Sequence, residues 1–323
     1  MKARVHFSSG TAALIAMLIG ASVRAAAATE ATPLTIFHAD SLSGYMSKLA
    51  AEYQASHAGV EVRREGSGSL DAIRKVSDLG LPCDILITAD RRLLKTPRQA
   101  IEPWAISFAG NAMGILYTSR SRAAGEITRD NWYEVLLEPG VRYGHSTPER
   151  DPAGYWTLIV WQLAERFYHQ PGLAKRLGAH SPAGNIRPHN IDLIALLQSG
   201  ELDYYFGYAS DARLGELKFL ALPGEINLSD IAGSAQYGGA AVRVGTGANQ
   251  KEIAGAPIAY ALTLTSDPPN RDAAIEFIRM MLGAQGRKAA KDYGLIAYPD
   301  PLGWDPQHRM PAELRALVKP ISN

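Results

Sequence analysis

Cysteine is nearly missing from this chain of 323 residues: Cys83 is the only one. No intrachain disulfide can form, no lipid can be carried on a cysteine at an N-terminal cleavage site, and no zinc-ribbon spacing exists. An excess of one charge is missing too. With 33 Lys and Arg against 32 Asp and Glu, no long-range field points toward nucleic acid or a membrane surface, so discrimination by charge must be local. Apolar runs of the ~20 residues that span a bilayer are absent; the longest covers residues 11–23, and nothing later replaces it. Signatures of catalysis are absent as well. The eight histidines are scattered without an HExxH, no serine sits in a GxSxG elbow, and Gly66-Ser67-Gly68 lacks the third glycine of a dinucleotide fingerprint. No nucleotide or other cofactor is therefore expected. A hydrolase on a two-lobed scaffold is the weaker reading, because no nucleophile and base are assembled.

What is present starts with Lys2, Arg4 and His6, then the apolar run, then Ala26-Ala27-Ala28. That layout is a secretory signal peptide over residues 1–28, which makes the mature protein exported, soluble, periplasmic and not lipid-anchored. Residues 29–323 exceed the roughly 100–200 residues of a single domain. No long linker, repeat or low-complexity stretch divides them, so two lobes joined by crossing strands fit better than beads on a string. Lobe 1 is expected over 29–112 plus 259–323, and lobe 2 over 113–258.

Apolar runs alternate with amphipathic stretches throughout, as in an α/β protein with largely parallel sheets. Residues 34–37, 60–63 and 85–88 read as strands, separated by helices over 45–55 and 70–79, where Leu70, Ile73, Val76 and Leu79 recur at helical spacing. Cys83 reads as part of the strand that follows them. The second unit opens near Met113 and holds helices over 154–169 and 191–198 and a strand over 203–208. A strand over 258–264 and helices over 271–282, 285–292 and 312–318 return the chain to the first lobe.

In open α/β sheets ligands bind beyond the carboxyl ends of strands, where loops lead into helices. Two such loops follow the first two strands, one with Ser41 and Ser43 and the other with Ser67 and Ser69. Each puts serine hydroxyls beside the unpaired N–H groups of a helix start, which suits an anion, although capping alone would also place serine there. Ser41 and Ser69 are the preferred pair. Asp151 before Pro152 has the form of an N-cap with proline at the first helical position, and Asn190 opens the helix over 191–198. Tyr208 ends the strand before it and has a phenol hydrogen to donate. His38, a lone histidine at a strand end, is read as structural.

These segments resemble the archaeal-type tungstate/molybdate-binding proteins, the WtpA branch of the ModA-like solute-binding proteins. His38-Ala39-Asp40-Ser41-Leu42 is similar to that family's opening motif. Gly68-Ser69, Ile73-Arg74-Lys75-Val76, Asp78-Leu79-Gly80, Cys83-Asp84 and Thr88-Ala89-Asp90 are similar to its next block. Asn131-Trp132-Tyr133-Glu134, Asp151-Pro152, Gly154-Tyr155, Gln162-Leu163-Ala164-Glu165, the run from Ser199 to Tyr204, Leu222-Pro223 and Glu225-Ile226 follow in order. The resemblance implies a type II periplasmic-binding fold in which two α/β lobes close like a hinged trap. It further implies a tetrahedral oxyanion ligand, molybdate or tungstate, and delivery by a monomer to an ABC permease and its ATPase in the inner membrane. Ser41 and Ser69 would contribute from lobe 1, Asp151 and Tyr208 from lobe 2, with Asp151 in direct contact with Mo or W. The family's second acid, a glutamate, falls on Asn190. An amide can donate where a carboxylate cannot, so the pocket should be donor-rich and tetrahedral, or lopsided with Asp151 alone near the metal. Arg150 stands where the family has an acid, and it could pair with Asp151, favour anion access, or be a solvated surface arginine. Phosphate or sulfate is the nearest alternative ligand, and sensing the nearest alternative to transport.

Overall fold

Short aliphatic runs form strands in this protein because helices cover both faces of the sheets they enter. The computed structural model describes residues 32–231, 234–245, 247 and 250–321. The expected signal peptide at 1–28 lies outside the described residues.

In chain order the strands are β1 Thr32–Ala39, β2 Val60–Ser67, β3 Ile85–Thr88, β4 Ala105–Gly110, β5 Met113–Tyr117, β6 Tyr143–Ser146 and β7 Ile186–Arg187. They continue with β8 Tyr204–Tyr208, β9 Lys218–Ala221, β10 Ala241–Val244, β11 Lys251–Ala254, β12 Ala259–Leu264, β13 Ile296–Trp304 and β14 Lys319–Pro320. The helices are α1 Ser43–Ser56, α2 Ser69–Ser77, α3 Arg92–Lys95, α4 Trp132–Leu136, α5 Pro152–Phe167 and α6 Leu173–His180. After them come α7 Asn190–Ser199, α8 Ala209–Gly215, α9 Ser234–Tyr237, α10 Arg271–Leu282, α11 Ala284–Asp292 and α12 Ala312–Arg315.

Seven strands form one sheet in the order β14-β13-β4-β12-β3-β1-β2, and five form another in the order β7-β6-β8-β5-β9. A small antiparallel pair, β10 with β11, completes the set. The chain leaves the first sheet after Gly110 and comes back at Ala259. These two residues are paired across β4 and β12, so the outgoing and returning crossings lie side by side.

The sheets are mixed rather than largely parallel. β1 runs parallel to β2 and β3, but β12 is antiparallel to both β3 and β4, and β13 is antiparallel to β4. The cause is the crossing: a strand that comes back from the other sheet enters from the opposite end. In the second sheet β5 is antiparallel to β8 and β9. Two local boundaries also moved. β2 runs to Ser67 because it pairs with β1 along its whole length, ending at Ala39 opposite Ser67, so Gly66 and Ser67 are strand residues rather than loop. Cys83 lies in the loop before β3, still buried. The last helix stops at Arg315, three residues short of the expected end at Val318.

One apolar cluster runs through both sheets. Leu34 and Ile36 of β1 join Ile85 and Ile87 of β3 and Tyr45, Met46, Leu49 and Tyr53 of α1 in the buried core. In the second sheet every residue of β8 is buried. Phe206 on that strand meets Trp132, Tyr143 and Trp161 edge-on, at ring distances of 5.6, 6.3 and 5.5 Å. Such edge-to-face contacts orient the rings beyond what area burial alone requires. Removal of the central ring by Phe206→Ala is expected to lower stability by about 3–5 kcal/mol, read as a shifted urea midpoint with an unchanged slope.

Candidate functional site

The site grows out of helix starts. β1 ends at Ala39 and passes through a 3-10 turn, Asp40–Leu42, into α1; β2 ends at Ser67 and passes through Gly68 into α2. From the second sheet, β6 leads to Asp151 and α5, and β7 leads to His189 and α7. Four helix N-termini therefore open toward one seam between the two sheets, and each brings unpaired N–H groups and a positive dipole end.

The five residues expected at the site all lie along this seam, none more than 6% exposed. Ser41 Oγ is 2.7 Å from Tyr260 Oη on β12. That phenol also accepts from Asn111 Nδ2 at 3.0 Å, and Asn111 donates to Ser210 Oγ at 2.9 Å. The chain of bonds links the first sheet, the outgoing crossing and α8. Ser69 Oγ accepts the Ala89 N–H at 3.0 Å, which leaves its hydroxyl hydrogen free to donate elsewhere. Asp151 caps α5, as its sequence suggested: Oδ1 accepts the Ala153 N–H at 3.2 Å. Its other oxygen, Oδ2, is buried with no partner among the described residues. The Tyr208 phenol is likewise buried and unpartnered, with its ring 6.1 Å from that of Tyr260.

The seam is tight where α2 and α5 meet. Leu70 N–H donates to Arg150 O at 3.2 Å, and a Cβ placed on Gly68 would stand 2.4 Å from the same carbonyl and 3.3 Å from Asp151 Cβ. Nearby, His189 Nδ1 accepts the Gly68 N–H at 3.3 Å and lies 3.3 Å from Asp40 Oδ2. Of the two serines held in reserve, Ser67 has a buried hydroxyl without a partner, while Ser43 is only half-buried at the start of α1.

Two expectations need correction. Asn190 is the first helical residue of α7, with His189 as the cap, and its amide nitrogen is turned to Asp211 Oδ2 at 3.1 Å. The unpaired atom is its carbonyl oxygen, so the amide faces the other way from the donor that was expected. Arg150 pairs neither with Asp151 nor with solvent alone. Its Nε donates to Asp71 Oδ2 on α2 at 2.8 Å and ties the two sides of the seam together.

Three residues escaped the sequence reading. Asp211 accepts the Tyr208 N–H as well as the Asn190 amide, at 3.0 and 3.1 Å; it is the third residue of α8, from which an acid side chain can reach back to the N–H of the residue before the helix. Tyr260 is the lone phenol within an apolar strand. Asp40 follows β1 directly and faces the same seam.

Burial pushes the carboxyls of Asp40, Asp151 and Asp211 up to about 7 each. Neighbouring charge adds to this: Asp151 acts on Asp40, Asp211 on Asp151, and Asp40 on Asp211, while the Ala153 and Tyr208 N–H groups pull Asp151 and Asp211 back. The hydroxyls of Ser146 and Tyr205 stand near Asp151 and Asp211 but outside hydrogen-bond geometry. Burial holds the Tyr208 phenol far above its ordinary range, so it stays a donor. His38 is pushed down to about 4 by burial, with Nδ1 on the Ala39 carbonyl, and is neutral. That fits its structural reading. Among the described residues no group of three or more His, Cys, Asp or Glu side chains is placed to hold a metal cation. A surface recess of about 690 Å³ is bordered by Ala209, Ala212, Arg213, Glu216 and Gly294, and none of the five expected site residues lines it. No helix of the described residues is long and apolar enough to cross a membrane.

Residues 34–296 match the model of a family described as bacterial extracellular solute-binding protein. An uncharacterized solute-binding protein of Petrotoga mobilis is 40% identical over 294 residues, 90% of this chain and 91% of the relative. The molybdate/tungstate-binding protein WtpA of Pyrococcus abyssi is 34% identical over 315 residues, 88% of this chain and 90% of the relative. Among solved structures, the periplasmic molybdate-binding protein of Azotobacter vinelandii superposes with a TM-score of 0.59 at 16% identity, covering 82% of this chain and 99% of that one. The sulfate-binding protein SubI of Mycobacterium tuberculosis superposes with a TM-score of 0.59 at 17% identity, covering 83% and 88%. At such identities the two structures establish the fold, that of the periplasmic binding proteins, and nothing finer.

Two outcomes follow from the seam. Gly68 sits at φ −56° and ψ 138°, which alanine adopts freely, so Gly68→Ala brings no backbone strain of its own and its cost falls on the seam. The added methyl should hold the lobes apart, giving a larger radius of gyration by small-angle scattering; an unchanged radius would show that the seam yields. The second outcome concerns pH. Between the ordinary 3.8 and about 7 the folded protein holds more protons on these carboxyls than the unfolded chain does. Their contribution is then greatest at the acid end of that window and is lost as pH rises through it. Melting temperatures of Asp151→Asn should accordingly vary less with pH over that window than those of the parent.

Proposed function

The chain belongs to the bacterial extracellular solute-binding protein family, and from that premise we propose that it captures molybdate or tungstate in the seam and delivers it to an ABC permease. The observation that carries this reading is the set of buried hydroxyls along the seam that have no partner among the described residues: Ser67 Oγ, Ser146 Oγ and Tyr208 Oη. Buried polar groups are seldom left unpaired, and each one that is costs about 1–3 kcal/mol. A compact guest that offers oxygens in four directions satisfies hydroxyl donors from both sides at once. Four helix N-termini supply favourable potential for a dianion without a bound cation. The 34% identity to a relative named for molybdate and tungstate supports the choice of guest.

The carboxyls set conditions on that guest. A protonated Asp151 donates to an oxyanion oxygen, whereas an ionised one repels every oxygen and is favourable only if its Oδ2 reaches the Mo(VI) or W(VI) centre. Ser41 and Ser69 serve from the first lobe, and Asp151, Asn190 and Tyr208 from the second. We assign the chain no catalytic step and no cofactor. It acts as an exported monomer whose residues 1–28 are removed, and the permease's ATPase supplies the energy of import.

Phosphate is the second reading, favoured by one observation: Asp151 Oδ2 is an unpaired acceptor for a P–OH hydrogen. Titration with molybdate, tungstate, phosphate and sulfate by calorimetry separates the two. Molybdate and tungstate should bind most tightly, and their affinity should fall as pH rises through about 7, because ionisation of Asp40, Asp151 and Asp211 adds like charge beside a dianion. Phosphate preferred over the metal oxyanions, with the preference lost in Asp151→Asn, would replace this reading.

A further inference from the structure

We propose that Asp211 is a positioning residue that turns the carbonyl oxygen of Asn190 toward the bound oxyanion and so sets which oxyanion the seam accepts. This rests on the oxyanion-binding reading above and concerns its selectivity.

The orientation follows from the hydrogen bonds. Asp211 Oδ2 accepts from two N–H groups, the Tyr208 backbone at 3.0 Å and Asn190 Nδ2 at 3.1 Å. The Tyr208 backbone N–H, which can only donate, marks Oδ2 as an acceptor, so the amide presents its nitrogen to it. Because Oδ2 already accepts the Tyr208 N–H, a proton taken up by this carboxyl is favoured on Oδ1, which leaves the amide's orientation unchanged. The amide oxygen therefore lies on the side away from Asp211. It is buried, and no donor among the described residues meets it. α7 begins at Asn190 and packs on the 3-10 turn that carries Ser41, with His189 beside Asp40, so this end of the helix faces the seam.

A neutral carbonyl oxygen in that place has a definite chemical preference. It repels the oxygens of a fully deprotonated tetrahedral anion. It is favourable to a guest whose centre accepts a further oxygen, as Mo(VI) and W(VI) do, or whose own O–H can donate to it, as a protonated phosphate can. Sulfate has neither property. Its sulfur accepts no further oxygen, and near neutral pH it has no hydrogen to give. Asp211 thus disfavours sulfate without touching it, through the amide it holds. The same carboxyl group accepts the Tyr208 backbone N–H, behind a phenol that donates to any of these oxyanions alike, so this second contact leaves the ratio between them unchanged.

The test is a double-mutant cycle read as the ratio of molybdate to sulfate affinity by calorimetry, with Mo K-edge absorption reporting the oxygens around the metal. Asp211→Ala should lower the ratio by about tenfold, the scale of one interaction of hydrogen-bond size. Asp211→Asn should keep it within about twofold, since its amide oxygen can still accept both N–H groups. Asn190→Ala should lower the ratio alone, and adding Asp211→Ala to it should change nothing further, because Asp211 acts through Asn190. A folded Asp211→Ala with the parent ratio, or one that shifts the ratio equally in both backgrounds, overturns the inference. Should Asp211→Ala fail to fold, Asn190→Ala decides: an unchanged ratio and an unchanged metal environment overturn it. A parent protein that binds molybdate with a flat cycle removes this inference alone. A parent that binds neither molybdate nor tungstate removes the function and the inference together.

Discussion

Everything in this molecule is arranged around the meeting of four helix starts at one seam. The N-terminal ends of α1, α2, α5 and α7 each carry partial positive charge and N–H groups without helical partners. Set against one another across a gap they repel, unless negative charge lies between them. The buried carboxyls of Asp40, Asp151 and Asp211 supply part of that charge, yet burial and their mutual repulsion push each toward the neutral form. A dianion at the same place interacts with all four helix ends, and its charge need not be drawn from a buried side chain. The balance between dipole ends and reluctant carboxylates makes the seam sensitive to any charge placed between the two sheets.

Closure depends on this balance because the direct links across the seam are modest. The Arg150 to Asp71 pair has a side chain 43% exposed, and pairs of that kind contribute at most about 1 kcal/mol. Arg74 Nη2 donates to the Glu149 carbonyl at 3.3 Å on the same rim. Deeper in, Tyr155 Oη donates to Asp90 Oδ2 at 2.9 Å, while Arg92 pairs with Asp90 and reaches the Ala254 carbonyl at 2.8 Å. These bonds fix the register in which the two lobes meet. A guest that binds the closed arrangement better than the open one determines how often they do. The two crossings between the sheets lie side by side at Gly110 and Ala259.

Strand ends were legible from composition and spacing, and with them the places where loops run into helices. Ser41 and Ser69 could be singled out because they lie in the loops that lead from the first two strands into helices, Tyr208 because it ends a strand, and Asp151 because it precedes a proline at a helix start. Asn190 was singled out as the opening of a helix and again by family spacing, but the direction of its amide was not, because that direction is set by Asp211, 21 residues further along the chain. Tyr260 was hidden for a different reason. Its neighbours are apolar on both sides, and nothing local distinguishes a phenol that packs from one that bonds Ser41 across more than two hundred residues. The same limit explains the mixed sheets: whether a returning strand runs parallel depends on which edge it enters, and that is a property of the whole chain.

The sequence by itself determined the elements, their alternation, the helix starts that carry serine and aspartate, and the lack of any disulfide or strong net charge, because each of these is a local consequence of residue type and spacing. Only the tertiary structure decided that Gly68 leaves just enough room for Arg150, that Arg150 pairs with Asp71, that three carboxyls crowd one seam, and that Asn190 turns its oxygen outward. Those outcomes arise from groups far apart in the chain excluding water from one another. The energies of burial, repulsion and unmade hydrogen bonds that result have no counterpart in a local pattern.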